Sequence, residues 1–311
     1  MIATESYDLA IVGGGPAGLA CALYATRYGI DAVTVERGAF GGQISTTPEV
    51  DNYPGFPEIA GRDLGEQLYE HAKSLGASIF QDEVTSLAKT PDGFDLECYG
   101  VTLKTKAVVF TAGAQPRMAG FAGEDSFRGR GVSYCATCDG MFYRGKDIYV
   151  VGGGNTACEE ALYLSKIGKQ VTMVVRKDRM RAAQSLQDKI ASSSSILVRY
   201  QTKIESIEGE VLPSRITLRS LVNDEVETIE CDPGSFGIFV AVGHDADTAL
   251  VAGLVDLATD GSIITDDSMA TKTPGLFCAG DVREKPLRQV VTAVSDGAVA
   301  AQSAMRYLDS I

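Results

Sequence analysis

The sequence has almost no histidine: His71 and His244 are the only two in 311 residues. It has no second C-x-x-C to set beside Cys135 and Cys138. A closed zinc site needs four Cys or His ligands, usually delivered as two local pairs, so a structural metal centre is disfavoured and no metal is expected. Long apolar runs are also missing. The longest are short and broken by glycine, which argues against a transmembrane helix. The N-terminal stretch MIATESYDLAIVGGG has no basic n-region, so no secretory signal is expected. Positive charge is scarce: 28 Lys and Arg stand against 41 Asp and Glu, a net charge of −13, which argues against a nucleic-acid partner. The seven cysteines are an odd number. Cys21, Cys98, Cys158, Cys231 and Cys278 are scattered, so a disulfide framework is not expected and a reducing, cytoplasmic setting is.

An apolar fraction of 45% and a charged fraction of 22% are those of a globular protein. The length suits two domains better than one core. Glycine is abundant, at 34 residues, and much of it falls in one repeated pattern. DLAIVGGGPAGLACALYATRYGIDAVTVERG starts at Asp8, and DIYVVGGGNTACEEALYLSKIGKQVTMVVRKD starts at Asp147. Each reads as a buried strand, a glycine turn, a helix and a second strand. Gly13, Gly15 and Gly18 make a G-x-G-x-x-G; Gly152, Gly154 and Ala157 make the same pattern with a small third residue. The first glycine permits the tight turn, the second lets backbone approach a pyrophosphate, and the third lets helix pack on strand. The helix N-terminus then turns free N–H groups and a positive dipole end toward the phosphates. One such motif is weak evidence. Two copies, each between an apolar strand and a helix-period run, point to two dinucleotide sites.

The copies differ at the ribose position. In the first, the second strand ends in Glu36, where an acid would hold ribose hydroxyls. In the second, Val175 stands at the corresponding place, followed by Arg176 and Lys177, with Arg179 and Arg181 close behind. A carboxylate repels a 2′-phosphate, whereas guanidinium and ammonium groups accept it. The first site therefore suits FAD and the second NADPH, against the blander reading of a solvated basic turn. Two dinucleotide sites imply electron transfer between carriers. Cys135 and Cys138, just ahead of the second repeat, then have a source of electrons, and a redox role gains over a zinc half-site or a static staple.

Beyond these motifs, the chain resembles the low-molecular-weight thioredoxin reductases of the bacterial type, NADPH-dependent flavoprotein disulfide reductases. The resemblance runs over essentially the whole length: GGGPAG, GGQI at 41–44, NYPGF at 52–56, TAGAQPR at 111–117, CATCDG at 135–140, GGGNTACEEALYL at 152–164, RKDRMRA at 176–182, FVAVGH at 239–244 and GLFCAGDV at 275–282. It implies an α/β fold of two Rossmann-like, three-layer nucleotide-binding domains, with an NADPH domain (117–245) inserted into a discontinuous FAD domain (1–116 and 246–311). Related flavoproteins with an additional N-terminal thioredoxin-like region are not expected to include this chain, which has no room for one.

The resemblance also implies roles. NADPH reduces FAD, reduced flavin opens a Cys135–Cys138 disulfide, and Cys135 attacks the disulfide of thioredoxin or a thioredoxin-like protein. Cys138 is the flavin-proximal thiol, and Asp139 protonates the leaving thiol. FAD contacts fall to Gly13, Gly15, Pro16, Ala17, Gly18 and Glu36, to Gly42, Gln43 and Asn52, to Ala112 and Gly113, and to Asp281, Arg288, Gln289 and Val290. NADPH contacts fall to Gly152, Gly154, Asn155, Thr156, Arg176, Lys177 and Arg181. Arg130, Met141 and Phe142 would face the protein partner, with Phe142 equally readable as core. The family is homodimeric, and its inserted domain swings to alternate nicotinamide and dithiol at the flavin. Val175 departs from the family's usual histidine, which predicts a weaker preference for NADPH. Three other readings compete: a ferredoxin-dependent reductase, whose second glycine motif is typically degraded; a small-molecule dithiol oxidase, whose cysteine surroundings usually differ; and a non-catalytic redox sensor, which would not need CATCD.

Overall fold

The strands of both glycine repeats are buried on both faces, and alternate residues enter different cores, which sets the layers of the fold. The structure, a computed structural model, describes residues 3–47 and 49–311. It divides into two compact units: Met1–Gln115 with Asp245–Ile311, and Pro116–His244. Each division falls one residue before the crossing points expected from the sequence.

The first unit begins with β1 (Ala3–Val12), α1 (Pro16–Arg27) and β2 (Ala32–Glu36). It continues through α2 (Gly61–Ser74), β3 (Ser78–Gln81), β4 (Val84–Thr90), β5 (Gly93–Cys98) and β6 (Val101–Phe110). The strands β3-β2-β1-β6-β5-β4 form one sheet in that order. The first half of β6 pairs antiparallel with β5 and its last three residues pair parallel with a later strand, Leu276–Cys278. In β1, Leu9 and Ile11 enter one core, and Ala10 and Val12 the other. Both faces of the sheet are therefore covered, as a parallel sheet requires. One cover is helical and built on small residues: Ala17, Cys21, Ala22 and Ala25 of α1 meet Ala293, Ala300, Ala301 and Ala304 of the last helix. A Cβ on Gly297 would lie 2.0 Å from the Ala17 carbonyl oxygen, so the two helices approach as closely as backbone allows.

Short strand β7 (Ala114–Pro116) carries the chain across the first division. The second unit holds β8 (Val132–Ser133), the four-residue helix α3 (Ala136–Asp139), β9 (Asp147–Val151), α4 (Asn155–Leu164), β10 (Gln170–Val175), α5 (Gln184–Ala191) and β11 (Ile196–Tyr200). It is completed by β12 (Thr202–Gly209), β13 (Pro213–Ser220), β14 (Val226–Glu230) and β15 (Phe236–Val240). The sheet β11-β10-β9-β15-β8 is parallel throughout. Ile148 and Val150 of β9 face α4, while Tyr149 and Val151 face Ile204, Ile207, Ile216 and Leu218 of the antiparallel trio β12-β13-β14. Helices thus cover one side of this sheet and a small sheet covers the other. The chain returns through β16 (His244–Ala246) to β17 (Leu276–Cys278) and α6 (Val290–Leu308). Among the described residues, no helix is long and apolar enough to cross a membrane.

Candidate active site

In the first unit, β1 delivers Gly13 at its end, with φ +109°. A Cβ there would lie 2.6 Å from the Thr111 carbonyl oxygen, so only glycine makes this turn. Gly18 presses its Cα against Gly13 from the first turn of α1, where a Cβ would meet the Gly13 carbonyl oxygen at 1.8 Å. Gly15 differs: the nearest atom to a Cβ there is the Gly42 Cα at 3.9 Å, so the loop keeps open space at its second glycine. Gly42 is thereby set beside Gly15, two candidate positions from separate motifs. Pro16 occupies the first turn of α1, where its missing N–H costs nothing, and Ala17 is buried behind it.

Glu36, at the end of β2, accepts hydrogen bonds from Gly14 N at 2.5 Å and Gly38 N at 2.6 Å. The carboxylate stiffens the glycine loop and, having about four lone-pair sites, still has capacity for ribose hydroxyls. Thr111 donates its hydroxyl to Val12 O and Gly13 O, which anchors the Ala112-Gly113 turn to the same loop. The Gln43 side chain donates to Ala114 O in that turn. Asn52 Nδ2 donates to Gln289 Oε1 at 3.2 Å, so two candidates far apart in sequence meet. Gln289 also caps α6 through a reciprocal capping box with Thr292, which places Val290 in the first helical turn. Arg288 donates Nε to Asp281 O at 3.3 Å and pairs with Asp260 at 3.5 Å.

Asp281 is the informative residue for a bound group. Its Oδ1 is buried and, among the described residues, has no hydrogen-bond partner. Burial raises its pKa, against the pull of Lys285 and Arg288. A buried carboxylate oxygen without a donor is costly unless a ligand hydroxyl satisfies it. Together with the open second glycine, this fits FAD, whose ribitol carries such hydroxyls. The sequence reading missed what holds this segment. Lys285, 3% exposed in its side chain, pairs with Asp296 at 2.7 Å; Arg283 approaches the same carboxylate at 3.5 Å, and Gly280 N donates to it at 3.1 Å. An Asp and a Lys lying inside an apolar helix pattern and a loop carry no motif that announces this pairing.

In the second unit, Cys135 and Cys138 form a disulfide with Cα atoms 5.3 Å apart. Cys135 is the N-cap of α3, and its sulfur accepts from Cys138 N at 3.2 Å. Asp139 closes the helix, and the charge of its carboxylate adds to burial in pushing the Tyr143 phenol up to about 12. Upstream, Glu124 is 1% exposed and accepts from Ala119 N, Gly120 N, Phe121 N and the Tyr134 hydroxyl. It therefore anchors the residue just before Cys135. Arg128 stacks over Tyr134 with 5.0 Å to the ring centroid, and Lys146 over Tyr143 with 5.4 Å. Met141 and Phe142 are 44% and 50% exposed, so Phe142 is not core. Arg130 is exposed as well and donates to Ser126 O.

The second glycine loop repeats the first in detail. Gly152 has φ +146°, and a Cβ on it would meet Ala241 O at 2.4 Å and Ala157 Cβ at 2.9 Å. A Cβ added at Gly154 would meet no described atom within 4 Å, so the second glycine of this loop, too, faces open space. Asn155 and Thr156 begin α4. The Asn155 side chain is engaged, accepting from Ala183 N at 2.8 Å, while Arg181 N donates to Gly153 O at 2.6 Å. Both bonds tie the basic loop to the glycine loop. Arg176, Lys177 and Arg181 are exposed there, and among the described residues none has an ion-pair partner. Val175 is 3% exposed and packs against Gly153, where an added Cβ would touch it at 2.9 Å. It belongs to the core of the unit.

Two Rossmann-like nucleotide folds, one with an acid and one with a basic cluster at the ribose position, together with a C-x-x-C disulfide, define a flavin- and nicotinamide-linked disulfide oxidoreductase. The family signature "Pyridine nucleotide-disulphide oxidoreductase" matches residues 7–297. A thioredoxin reductase of Peptoclostridium litorale is 42% identical over 98% of this chain and 98% of its own. One from Listeria monocytogenes is 39% identical over 98% and 95%. The crystal structure of thioredoxin reductase from Streptococcus pyogenes superposes with a TM-score of 0.90 at 38% identity, covering 98% of this chain and 99% of the other. The chain belongs to the pyridine nucleotide-disulphide oxidoreductases and, within them, to the thioredoxin reductase family. The family's cofactors are FAD and NADPH.

Proposed function

We propose that this chain is a thioredoxin-disulfide reductase, taking electrons from NADPH and delivering them through Cys135 and Cys138 to the disulfide of thioredoxin or a thioredoxin-like protein. The observation that carries the reading is the Cys135–Cys138 disulfide at the head of α3, in a chain with two unlike dinucleotide loops. The unit built from 1–115 and 245–311 is the FAD domain, and 116–244 is the NADPH domain. Bound FAD supplies a carrier that accepts a hydride from nicotinamide and releases an electron pair to a disulfide. The Gly13–Gly18 loop and the N-terminus of α1 hold its pyrophosphate, Glu36 its adenosine ribose and Asp281 its ribitol, with Asn52 and Gln289 beside the ring. Gly152, Gly154 and Thr156 hold the NADPH pyrophosphate, and Arg176, Lys177 and Arg181 its 2′-phosphate.

Opening the Cys135–Cys138 bond consumes two electrons and two protons and yields two thiols. Asp139 delivers a proton to the departing sulfur. Cys135, half-buried at the head of α3, then attacks as thiolate, forming a mixed disulfide that Cys138 resolves. Met141, Phe142 and Arg130 offer apolar area and positive charge to the partner. The same reading makes the protein a homodimer of the cytoplasm. Anaerobic titration with NADPH tests the relay: uptake of two electron pairs per chain is expected, and uptake of one would remove the cysteines from it. Turnover of a disulfide reporter that depends on added thioredoxin is expected as well, and its absence would overturn the reading.

A further inference from the structure

Glu160 lies on α4, and its carboxylate reaches the dithiol helix of the same unit. Oε1 accepts from Ala136 N at 3.4 Å, the first N–H of α3 and the neighbour of Cys135. Oε2 is buried and, among the described residues, has no hydrogen-bond partner. The helices are close because Gly140, just after α3, has no side chain: a Cβ there would meet Leu164 at 3.0 Å and Tyr163 at 3.2 Å. Free N–H groups at a helix start favour a thiolate, and a carboxylate at the same place opposes one.

We propose that Glu160 is a positioning residue of the dithiol, whose negative charge opposes the Cys135 thiolate, so that the proton Cys135 gives up before attack is balanced by protonation of Glu160. The inference rests on the reductase reading above. The proton balance is closed: Cys135 thiol and Glu160 carboxylate become Cys135 thiolate and Glu160 carboxylic acid. The thiolate then forms a bond to one partner sulfur, the partner's own disulfide bond breaks, and its other sulfur leaves as thiolate. No oxidant is needed beyond that disulfide.

The electrostatic setting supports this exchange. Burial pushes Glu160 from 4.5 to about 7; the Ala136 N–H pulls the other way, and the charge of Glu159 adds to the rise. The elements packed on α4 are α3, α5, β9 and β10. Their titratable groups are Cys138 and Asp139 on α3 with Cys135 at its N-cap, Asp188 and Lys189 on α5, and Asp147 and Tyr149 on β9; Tyr143 follows α3, and Cys158, Glu159 and Tyr163 lie on α4 itself. The charge that bears on Glu160 is that of Glu159, and among the described residues no ion-pair partner faces it. A carboxyl and a thiol with nearby proton affinities titrate as a pair.

The test is the pH dependence of iodoacetamide alkylation at Cys135, followed by peptide mass in a Cys138→Ser background reduced with dithiothreitol. With Glu160 present, the rate should rise broadly in two steps. In Glu160→Gln, which keeps an acceptor for Ala136 N without the charge, it should rise in one step with a midpoint about one pH unit lower. Superimposable profiles would overturn the proposal, because a merely structural Glu160 leaves them so. Infrared difference spectra of the oxidised and reduced full chain give a second measurement. A protonated carboxyl band that persists to higher pH in the reduced chain than in the oxidised one, and is absent in Glu160→Gln, is expected; loss of the band at the same pH in both states would also overturn the proposal. Neither readout uses thioredoxin turnover, so failure of the reductase reading and failure of this inference are told apart.

Discussion

The basic loop after β10 should set cofactor choice, and its energetics can be worked from exposure. Arg176, Lys177 and Arg181 project from a loop that two hydrogen bonds fasten to the glycine loop, Ala183 N to Asn155 and Arg181 N to Gly153. The cluster is therefore held in place before the cofactor arrives. A hydrogen bond to a charged group contributes about 1.5–3 kcal/mol, and an exposed site takes the lower end. Arg176→Ala should thus cost about 1.5 kcal/mol with NADPH and almost nothing with NADH, which has no 2′-phosphate. That is roughly a tenfold fall in the ratio of their kcat/KM values. Arg176→Ala with Arg181→Ala should lower the ratio about a hundredfold if the contacts add. Rapid-mixing measurement of flavin bleaching by each nucleotide reads the ratio without any protein partner. A double variant whose ratio stays within twofold of the parent would refute the assignment. Val175 enters the same experiment. It is buried against Gly153, so substituting it should change stability before it changes selectivity.

Cys135→Ser and Cys138→Ser should each abolish thioredoxin reduction while leaving flavin reduction by NADPH intact; loss of flavin reduction in either would contradict the order of the relay. Lys285→Met removes one partner of a buried ion pair, which costs about 3 kcal/mol where Arg283 remains beside Asp296. The temperature of flavin release should fall by roughly 6–12 °C, and a shift under 2 °C would show the pair to be unimportant. Glu160→Gln should change stability with pH in one direction. The carboxyl is raised in the folded chain from 4.5 to about 7, so the native state holds its proton more tightly over that window and loses stability as pH rises through it. The Gln variant should match the parent near pH 4 and gain on it up to about pH 8, by on the order of 3 kcal/mol or less in denaturant melts.

What could be read from the chain alone follows from where the chemistry sits. Gly13, Gly18 and Gly152 are backbone requirements: each stands where a Cβ would strike a carbonyl oxygen, and only one residue type satisfies that demand. Such positions announce themselves, and so did the acid and the basic cluster that follow each repeat. Cys135 and Cys138 were visible as a pair, but their assignment needed the two nucleotide loops around them. The antiparallel trio β12-β13-β14 behind the second sheet was not foreseen, because its apolar alternation marks strands without saying which face they cover. Phe142 could not be sorted between core and surface, since one aromatic beside a methionine fits either.

The carboxylates were the hardest to read, and for a common physical reason. Glu36, Glu124, Glu160, Asp281 and Asp296 are five acids with different work, and only Glu36 and Asp281 lie in motifs that assign them a partner. The others acquire their roles from burial and from the donors that tertiary packing brings. Glu124 collects four donors and stays an anchored charge. Asp296 collects Lys285 and a backbone N–H. Glu160 collects one N–H and is left with an oxygen that none of the described residues satisfies. A carboxylate with a full set of partners holds structure in place. One left short, beside a group that must gain and lose a proton, is positioned to trade charge with it. The shortfall of partners, which no linear pattern records, therefore singles out Glu160 among the acids of the second unit.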